Sequence, residues 1–190
     1  MSDPPHRKRV KHYEVPGHAH LLTFSCYQRL PLLTNILWRT WLSRRIDAAL
    51  RDHLAGLVAF VYMPEHVHLL VHPRAEEYRI GRLLFAIKRP FSFRVKKHLE
   101  ERRSPLLSRL TIRTRPGVTA FRFWQEGPGH DRNLLSVENC VKAAEYLHGN
   151  PVRRGLVKTV DGWRWSSWRH YHRPNDPPDP ALPVIHGFPS

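Results

Sequence analysis

The chain predicts an α+β fold, a ferredoxin-like βαββαβ antiparallel sheet with helices on one face and an additional C-terminal helix carrying a tyrosine. Three observations predict it. Stretches of period two at residues 18–27 and 66–72 are separated by a stretch of helical period. An apolar, β-rich run at 57–62 leads through Met63, Pro64 and Glu65 straight into the second alternating stretch, as a hairpin does. The resulting order of strand, helix, strand, strand, helix, strand is the one in which helices cover one face of an antiparallel sheet and leave the other free for chemistry.

The elements follow in order. In the first strand Leu22, Phe24 and Cys26 alternate with Thr23 and Ser25. Trp38, Trp41, Leu42, Ile46 and Ala49 recur at helical spacing. After the hairpin, Ile80, Leu83, Leu84 and Ile87 mark a second helix, which Pro90 is expected to kink or divide, although Phe91, Val95 and Leu99 continue its stripe. Residues 104–120 read as a basic loop, 121–125 as an aromatic strand and 131–135 as a short one. A third helix is expected over 137–150, stopped by Pro151. The ends differ in composition. Residues 1–17 carry His6, Arg7, Lys8, Arg9, Lys11 and His12 with little to bury and read as a basic flexible arm. Residues 173–190 hold six prolines and read as a Pro-rich tail, extended or disordered, which leaves 18–172 as the folded body.

Composition narrows the partners. With 190 residues, 41% of them hydrophobic, one ordinary core is available. Thirty-one Lys and Arg against sixteen Asp and Glu leave a formal charge of +15, which points to a polyanion and first to nucleic acid. No membrane is expected, because no apolar run approaches the roughly 18 residues of a spanning helix. The basic N-terminus has no apolar segment behind it, so no secretory signal is expected. Two cysteines, Cys26 and Cys140, make no disulfide framework and fit a reducing cytoplasm.

Two groups of residues carry chemistry. His66 and His68 are two apart on a strand and project to one side, while Val67, Leu69 and Val71 face the other. Neutral imidazole is the commonest metal ligand, so the pair can grip one divalent ion; the alternative is two surface histidines on a half-buried strand. On the third helix Val137, Cys140, Val141, Ala144 and Leu147 form the core stripe. Tyr146 lies roughly 150° and Asn150 roughly 115° from the centre of that stripe, and the i, i+4 spacing makes the two neighbours. Core packing does not explain a tyrosine there, and it reads either as an exposed packing residue or as a nucleophile. His148 falls on the apolar face and reads as a hydrogen-bonded structural histidine.

The combination suits phosphoryl transfer. A phenol is a weak nucleophile at neutral pH and needs an ion or a base, with charge neutralised on the phosphate. Two histidines and the amide oxygen of Asn150 leave open positions on a metal for phosphate oxygens. Attack by tyrosine conserves the phosphodiester energy, so resealing needs no nucleotide cofactor, and no Gly-x-x-x-x-Gly-Lys loop occurs in the chain.

At these residues the chain resembles the REP-associated tyrosine transposases, within the larger group of enzymes named for histidine-hydrophobic-histidine motifs. The matching segments are YMPEHVHLLVHP at 62–73, FRFWQEGPGHDRNL at 121–134, AAEYLHGNPVRRGLV at 143–157 and WRWSSWRHY at 163–171. The resemblance spans roughly residues 18–171. It implies that the body at 18–172 is a transposase catalytic domain that binds DNA hairpins and nicks nearby single strands, leaving a 5′-phosphotyrosine and a free 3′-hydroxyl. By the same resemblance His66 and His68 are the paired metal ligands, Tyr146 is the nucleophile and Asn150 is the third ligand. Magnesium is the family's ion, whereas two imidazoles argue for manganese or a similar one. A self-contained site is usual in the family, so a monomer is expected rather than a dimer. With DNA as partner, the location expected is cytoplasmic and nucleoid-associated. The chain departs from the family at Glu65, where Asn is usual, at Gly149, where a larger residue is usual, and in the length of 104–120.

The expected phosphate contacts are Arg132, Arg153 and Arg154 near the active region and Lys88, Arg89, Arg94, Lys96 and Lys97 on the second helix, the alternative for each being a solvated basic face. Trp163, Trp165 and Trp168 either stack on bases or pin the tail to the body. Two other functions compete: a domesticated hairpin DNA- or RNA-binding protein that no longer cuts, and a metal-dependent hydrolase, which leaves Tyr146 unexplained. An RNA-binding domain of the same general fold would carry a Lys/Arg-Gly-Phe/Tyr signature that this chain lacks.

Overall fold

A computed structural model describes residues 13–127 and 129–188. Most of the basic arm read at 1–17 therefore lies outside the described residues. Strands β1 (Ala19–Ser25), β2 (Ala55–Tyr62), β3 (His66–Pro73) and β6 (His130–Leu134) form one antiparallel sheet in the order β2-β3-β1-β6. Helix α1 (Ile36–Asp52) joins β1 to β2, and α2 (Ile80–Glu101) follows β3. This is the ferredoxin-like order. A short helix α3 (Leu106–Leu110) and a separate two-stranded hairpin, β4 (Thr111–Arg115) and β5 (Val118–Phe121), stand between α2 and β6. Helix α4 (Val137–Arg153) and a short α5 (Trp168–His172) complete the chain.

The pleat divides the core into two layers. Leu22, Phe24, Leu57, Phe60, Val67, Leu69 and Val71 pack beneath α1 and α2. Ala19, Leu21, Ala59, Val61, Leu70 and Leu134 face the other way and meet Cys140, Ala143, Ala144 and Leu147 of α4. The expectation that one face stays open is thus met only in part, because α4 covers much of the face on which His66 and His68 stand.

Local chemistry sets the helix ends. The Asn35 side chain accepts from the Trp38 N–H at 3.1 Å and caps α1; Ser136 does the same for Asn139 N–H at 3.2 Å in α4. Helix α2 borrows its cap from a distant residue: Glu14 accepts from the Ile80 N–H at 3.1 Å and pairs with Arg79 at 2.7 Å.

Neither proline stops its helix. Pro90 removes the N–H that the Ala86 carbonyl would take, and Nε of Arg45 on α1 donates to that carbonyl instead, at 2.8 Å, so α2 runs on. Pro151 sits in the last turn of α4, which closes beyond it through Arg154 N–H to the Asn150 carbonyl and Leu156 N–H to the Pro151 carbonyl. The helix therefore carries Arg153 into the region of Tyr146 and Asn150. The basic loop expected at 104–120 is α3 and the β4–β5 hairpin, and the strand expected at 121–125 shrinks to the end of β5 and a single bridge between Trp124 and Cys26.

Edge strand β2 is buried along its whole length. Its free edge is covered by the chain's last part: Tyr62 N–H donates to the Trp165 carbonyl at 2.8 Å, Ser167 N–H to Phe60 at 3.1 Å and His186 N–H to Leu57 at 2.8 Å. The WRWSSWRHY segment and the proline-rich residues after it thus protect an edge. The rings of Trp163 and Trp165 both lie about the Arg39 guanidinium, at 5.3 and 5.0 Å.

Candidate active site

The pleat of β3 sets His66 and His68 side by side, and their Nε2 atoms stand 3.0 Å apart. The far side of each ring is held. Nδ1 of His66 donates to the Glu65 carboxylate at 3.1 Å, and Nδ1 of His68 is hydrogen-bonded to the Thr23 hydroxyl on the neighbouring strand at 2.7 Å. With a proton on each Nδ1 the two Nε2 lone pairs face one point, an arrangement that a cation relieves; with the Thr23 hydroxyl donating to His68 instead, the two Nε2 atoms share a hydrogen bond. Two ligand bonds of about 2.1 Å at a right angle place their nitrogens about 3.0 Å apart, so the spacing fits one divalent ion. Burial lowers the pKa of both rings. His68 falls to about 3, through burial first and then the nearby His66 and Arg153. Both are therefore neutral at pH 7, the form that ligates metal. Among the described residues no group of three His, Cys, Asp or Glu side chains converges on a point. A third protein ligand among the described residues would be of another type, and an amide oxygen qualifies.

Glu65, read from the sequence as a turn residue and as a departure from the family's usual Asn, was given no role at the site. Besides His66 it binds Arg154, whose Nη1 lies 2.7 Å from Oε1. Burial alone would raise the Glu65 carboxyl, but the hydrogen bond from Arg154 and the charges of His66 and Arg154 outweigh it and hold the pKa below the usual range. Its position immediately before a His-x-His strand was the available signal.

On α4 Cys140, Ala143, Ala144 and Leu147 face the sheet, whereas Val137 and Val141, expected in the same stripe, are exposed because the helix turns its Ala143 side inward. Tyr146 points away from the sheet, about half exposed at 54%. Asn150, one turn on and expected to share the outward edge with Tyr146, is instead buried, because the inward face of α4 is centred nearer Ala143 and Leu147 than the sequence stripe. Arg153 links the two: its Nη2 donates to the Tyr146 carbonyl at 2.6 Å and to Oδ1 of Asn150 at 2.9 Å, and its guanidinium lies 4.2 Å from the centre of the tyrosine ring. Gly149 makes this fold-back possible, since a Cβ there would come within 2.6 Å of Arg153 Nη1. The amide nitrogen of Asn150 is buried without a hydrogen-bond partner among the described residues. Its oxygen keeps a second lone pair beside the one Arg153 uses. His148 is buried and bonded through Nε2 to the Ser167 hydroxyl at 2.8 Å, which ties α4 to the segment covering β2.

The fold is shared with a known enzyme. No protein-family model matches the chain, and no curated protein matches its sequence. Among solved structures it is similar to a REP-associated tyrosine transposase bound to a REP hairpin, with a TM-score of 0.66 and 19% identity, over 100% of this chain and 98% of that one. The chain has the fold of that transposase. A structure from Deinococcus radiodurans, named as a transposase only provisionally, aligns at a TM-score of 0.45 and 17% identity over 75% of this chain and 96% of that one, too low to carry an argument.

The basic residues divide by face. Arg132 is exposed on β6 and shares the histidine face, in register with Leu21. One pair further along, His130 lies across β1 from His68, with Thr23 between them. The alternation of His130, Arg132 and Leu134 along the short strand was the signal for this third histidine. Arg153 and Arg154 end the tyrosine helix. Lys88 and Arg89 are not brought to this site, because α2 packs on the opposite face. Lys88 is drawn inward, donating to the Gly127 carbonyl at 3.0 Å, and burial lowers its pKa; Arg89 lies over the Phe85 ring at 5.2 Å. Among the described residues no helix is long and apolar enough to cross a membrane.

Proposed function

We propose that the chain is a tyrosine transposase of the REP-associated kind, which binds hairpin DNA and cuts and rejoins single strands through a 5′-phosphotyrosine. What carries the reading is the paired Nε2 atoms of His66 and His68, 3.0 Å apart with both rings fixed from behind. His66, His68 and the Asn150 oxygen would hold a divalent ion, Mn²⁺ or Mg²⁺, which when bound supplies charge neutralisation and polarisation at the phosphodiester. Tyr146 supplies the nucleophile. Its phenolic oxygen, after losing its proton, bonds to phosphorus; the bond to the 3′-oxygen breaks, and that oxygen takes a proton to become a free hydroxyl. The reverse attack by a 3′-hydroxyl reseals the strand with no nucleotide consumed.

The chain's own groups prepare this step. Arg153 lies over the tyrosine ring and reaches Asn150, placing one fixed positive charge between the nucleophile's helix and the histidines. Arg132 and the outer face of Arg154, half exposed, would meet phosphates. The experiment is incubation with single-stranded DNA containing a hairpin, with Mn²⁺ or Mg²⁺, followed by denaturing gel analysis. A covalent protein–DNA adduct that needs Tyr146 and either His66 or His68 is expected; binding without any adduct would leave a hairpin-binding protein that does not cut.

A further inference from the structure

The β4–β5 hairpin takes no part in the chemistry proposed above, and it is built unlike the rest of the molecule. Among the described residues it pairs only with itself, apart from the four-stranded sheet. Its root is fixed: Leu110 is buried, and the Leu110 carbonyl accepts from Arg122 N–H at 2.7 Å. Beyond the root, Arg113, Thr114, Arg115, Val118 and Thr119 are exposed. Pro116 and Gly117 form the tip, with Gly117 at φ 74°, where a side chain would be strained. The register shifts between Arg113 and Arg115, and such a bulge twists a ribbon and re-aims its side chains.

Its charge has one sign. Residues 104–125 contain Arg109, Arg113, Arg115 and Arg122 and no Asp or Glu. Among the described residues neither Arg113 nor Arg115 meets a carboxylate. A lone two-stranded ribbon is marginally stable in water, so an exposed one bearing unpaired arginines adds little to the body's stability. The tip carries Pro, Gly and a single exposed valine, too little apolar surface for a membrane.

A ribbon of this width is one of the two elements that fit the major groove of B-form DNA, about 12 Å across. Its side chains are of the kinds that read there, arginine for the edge of guanine and threonine for the thymine methyl. We infer that the β4–β5 ribbon enters the major groove of a DNA hairpin stem, with Arg113 and Arg115 as its contacts. The inference rests on reading the chain as a binder of hairpin DNA, and it names the element that reads the stem.

The test measures binding alone, without metal or cleavage, so a failure of the Tyr146 chemistry does not affect it. The full chain is titrated by fluorescence anisotropy with three probes: a DNA hairpin with a one-turn stem and a single-stranded flank, the flank alone, and the RNA hairpin of the same sequence. The wild type should bind the DNA hairpin more tightly than the flank or the RNA, whose deep, narrow major groove admits no ribbon. The Arg113→Ala/Arg115→Ala protein should lose about tenfold or more of the stem's contribution, by the worth of bidentate base contacts, and bind the flank as before. Both side chains are exposed, and an unchanged thermal midpoint verifies folding. A stem contribution that survives the double substitution, an equal loss on the flank alone, or an RNA stem bound as tightly as the DNA stem would each overturn the inference.

Discussion

Glu65 holds His66 from behind: Oε1 accepts from the imidazole Nδ1 at 3.1 Å, and the same oxygen takes Nη1 of Arg154 at 2.7 Å. One carboxylate thus fixes a ring on the sheet and an arginine at the end of the tyrosine helix. It orients Nε2 toward His68 and, in the metal site proposed, would make the ring a stronger ligand, as carboxylates behind metal-bound histidines do.

Glu65→Ala should therefore weaken Mn²⁺ binding by about tenfold to a hundredfold, the usual effect of losing such a partner, while Glu65→Gln, which keeps an acceptor, should retain part of the affinity. Calorimetric titration of the apo protein reads this directly. Equal affinity in wild type and the alanine variant would show that Glu65 serves only to anchor Arg154.

Burial lowers the pKa of His148 to about 4, with a smaller push from His172. In the unfolded chain the ring takes a proton near pH 6.5, so below that pH the unfolded state binds more protons than the folded one. Stability is full above about pH 6.5 and falls as pH drops toward about 4, by on the order of 3 kcal/mol from this group. Urea unfolding from pH 7 to pH 4 should show the decline, and His148→Asn should flatten part of it. An unchanged slope would assign the decline to the other buried histidines.

Pro90 and Arg45 should be coupled. With proline present, Arg45→Met leaves the Ala86 carbonyl without its donor and should cost roughly 1–2 kcal/mol. In Pro90→Ala the restored N–H takes that carbonyl, so the same substitution should cost only a few tenths. A double-mutant cycle in urea measures the difference; equal costs in both backgrounds would mean that Ala86 is satisfied in another way.

That pair also shows where the sequence was legible. The period of two at 66–72 placed both histidines on one face, and the helical stripe of α4 placed Tyr146 away from the core, because burial on one side imposes those periods directly. Pro90 misled because the compensating donor is Arg45, on another helix and invisible to any local rule. The β4–β5 ribbon was missed because neither of its faces is buried at the tip, so no apolar alternation marks it. Its signals were the Pro116-Gly117 turn and the β-branched residues beside it. The covering of the histidine face by α4, and of the β2 edge by residues 165–167 and 186, depends on contacts between segments far apart in the chain.

The decisive variant is Tyr146→Phe. The ring is about half exposed, and its contact is with the Arg153 guanidinium, which a phenylalanine face also offers. Removing the hydroxyl should therefore leave helix α4, hairpin binding and Mn²⁺ affinity as they are, and shift stability by no more than about 0.5 kcal/mol, the range of surface substitutions. Covalent adduct and strand transfer should vanish together, since both need the same oxygen. In the wild type the protein should be attached to the 5′ side of the nick, leaving a 3′-hydroxyl that a polymerase extends. A nick made without attached protein, and made equally well by the phenylalanine variant, would assign the attack to water and make the chain a hydrolase.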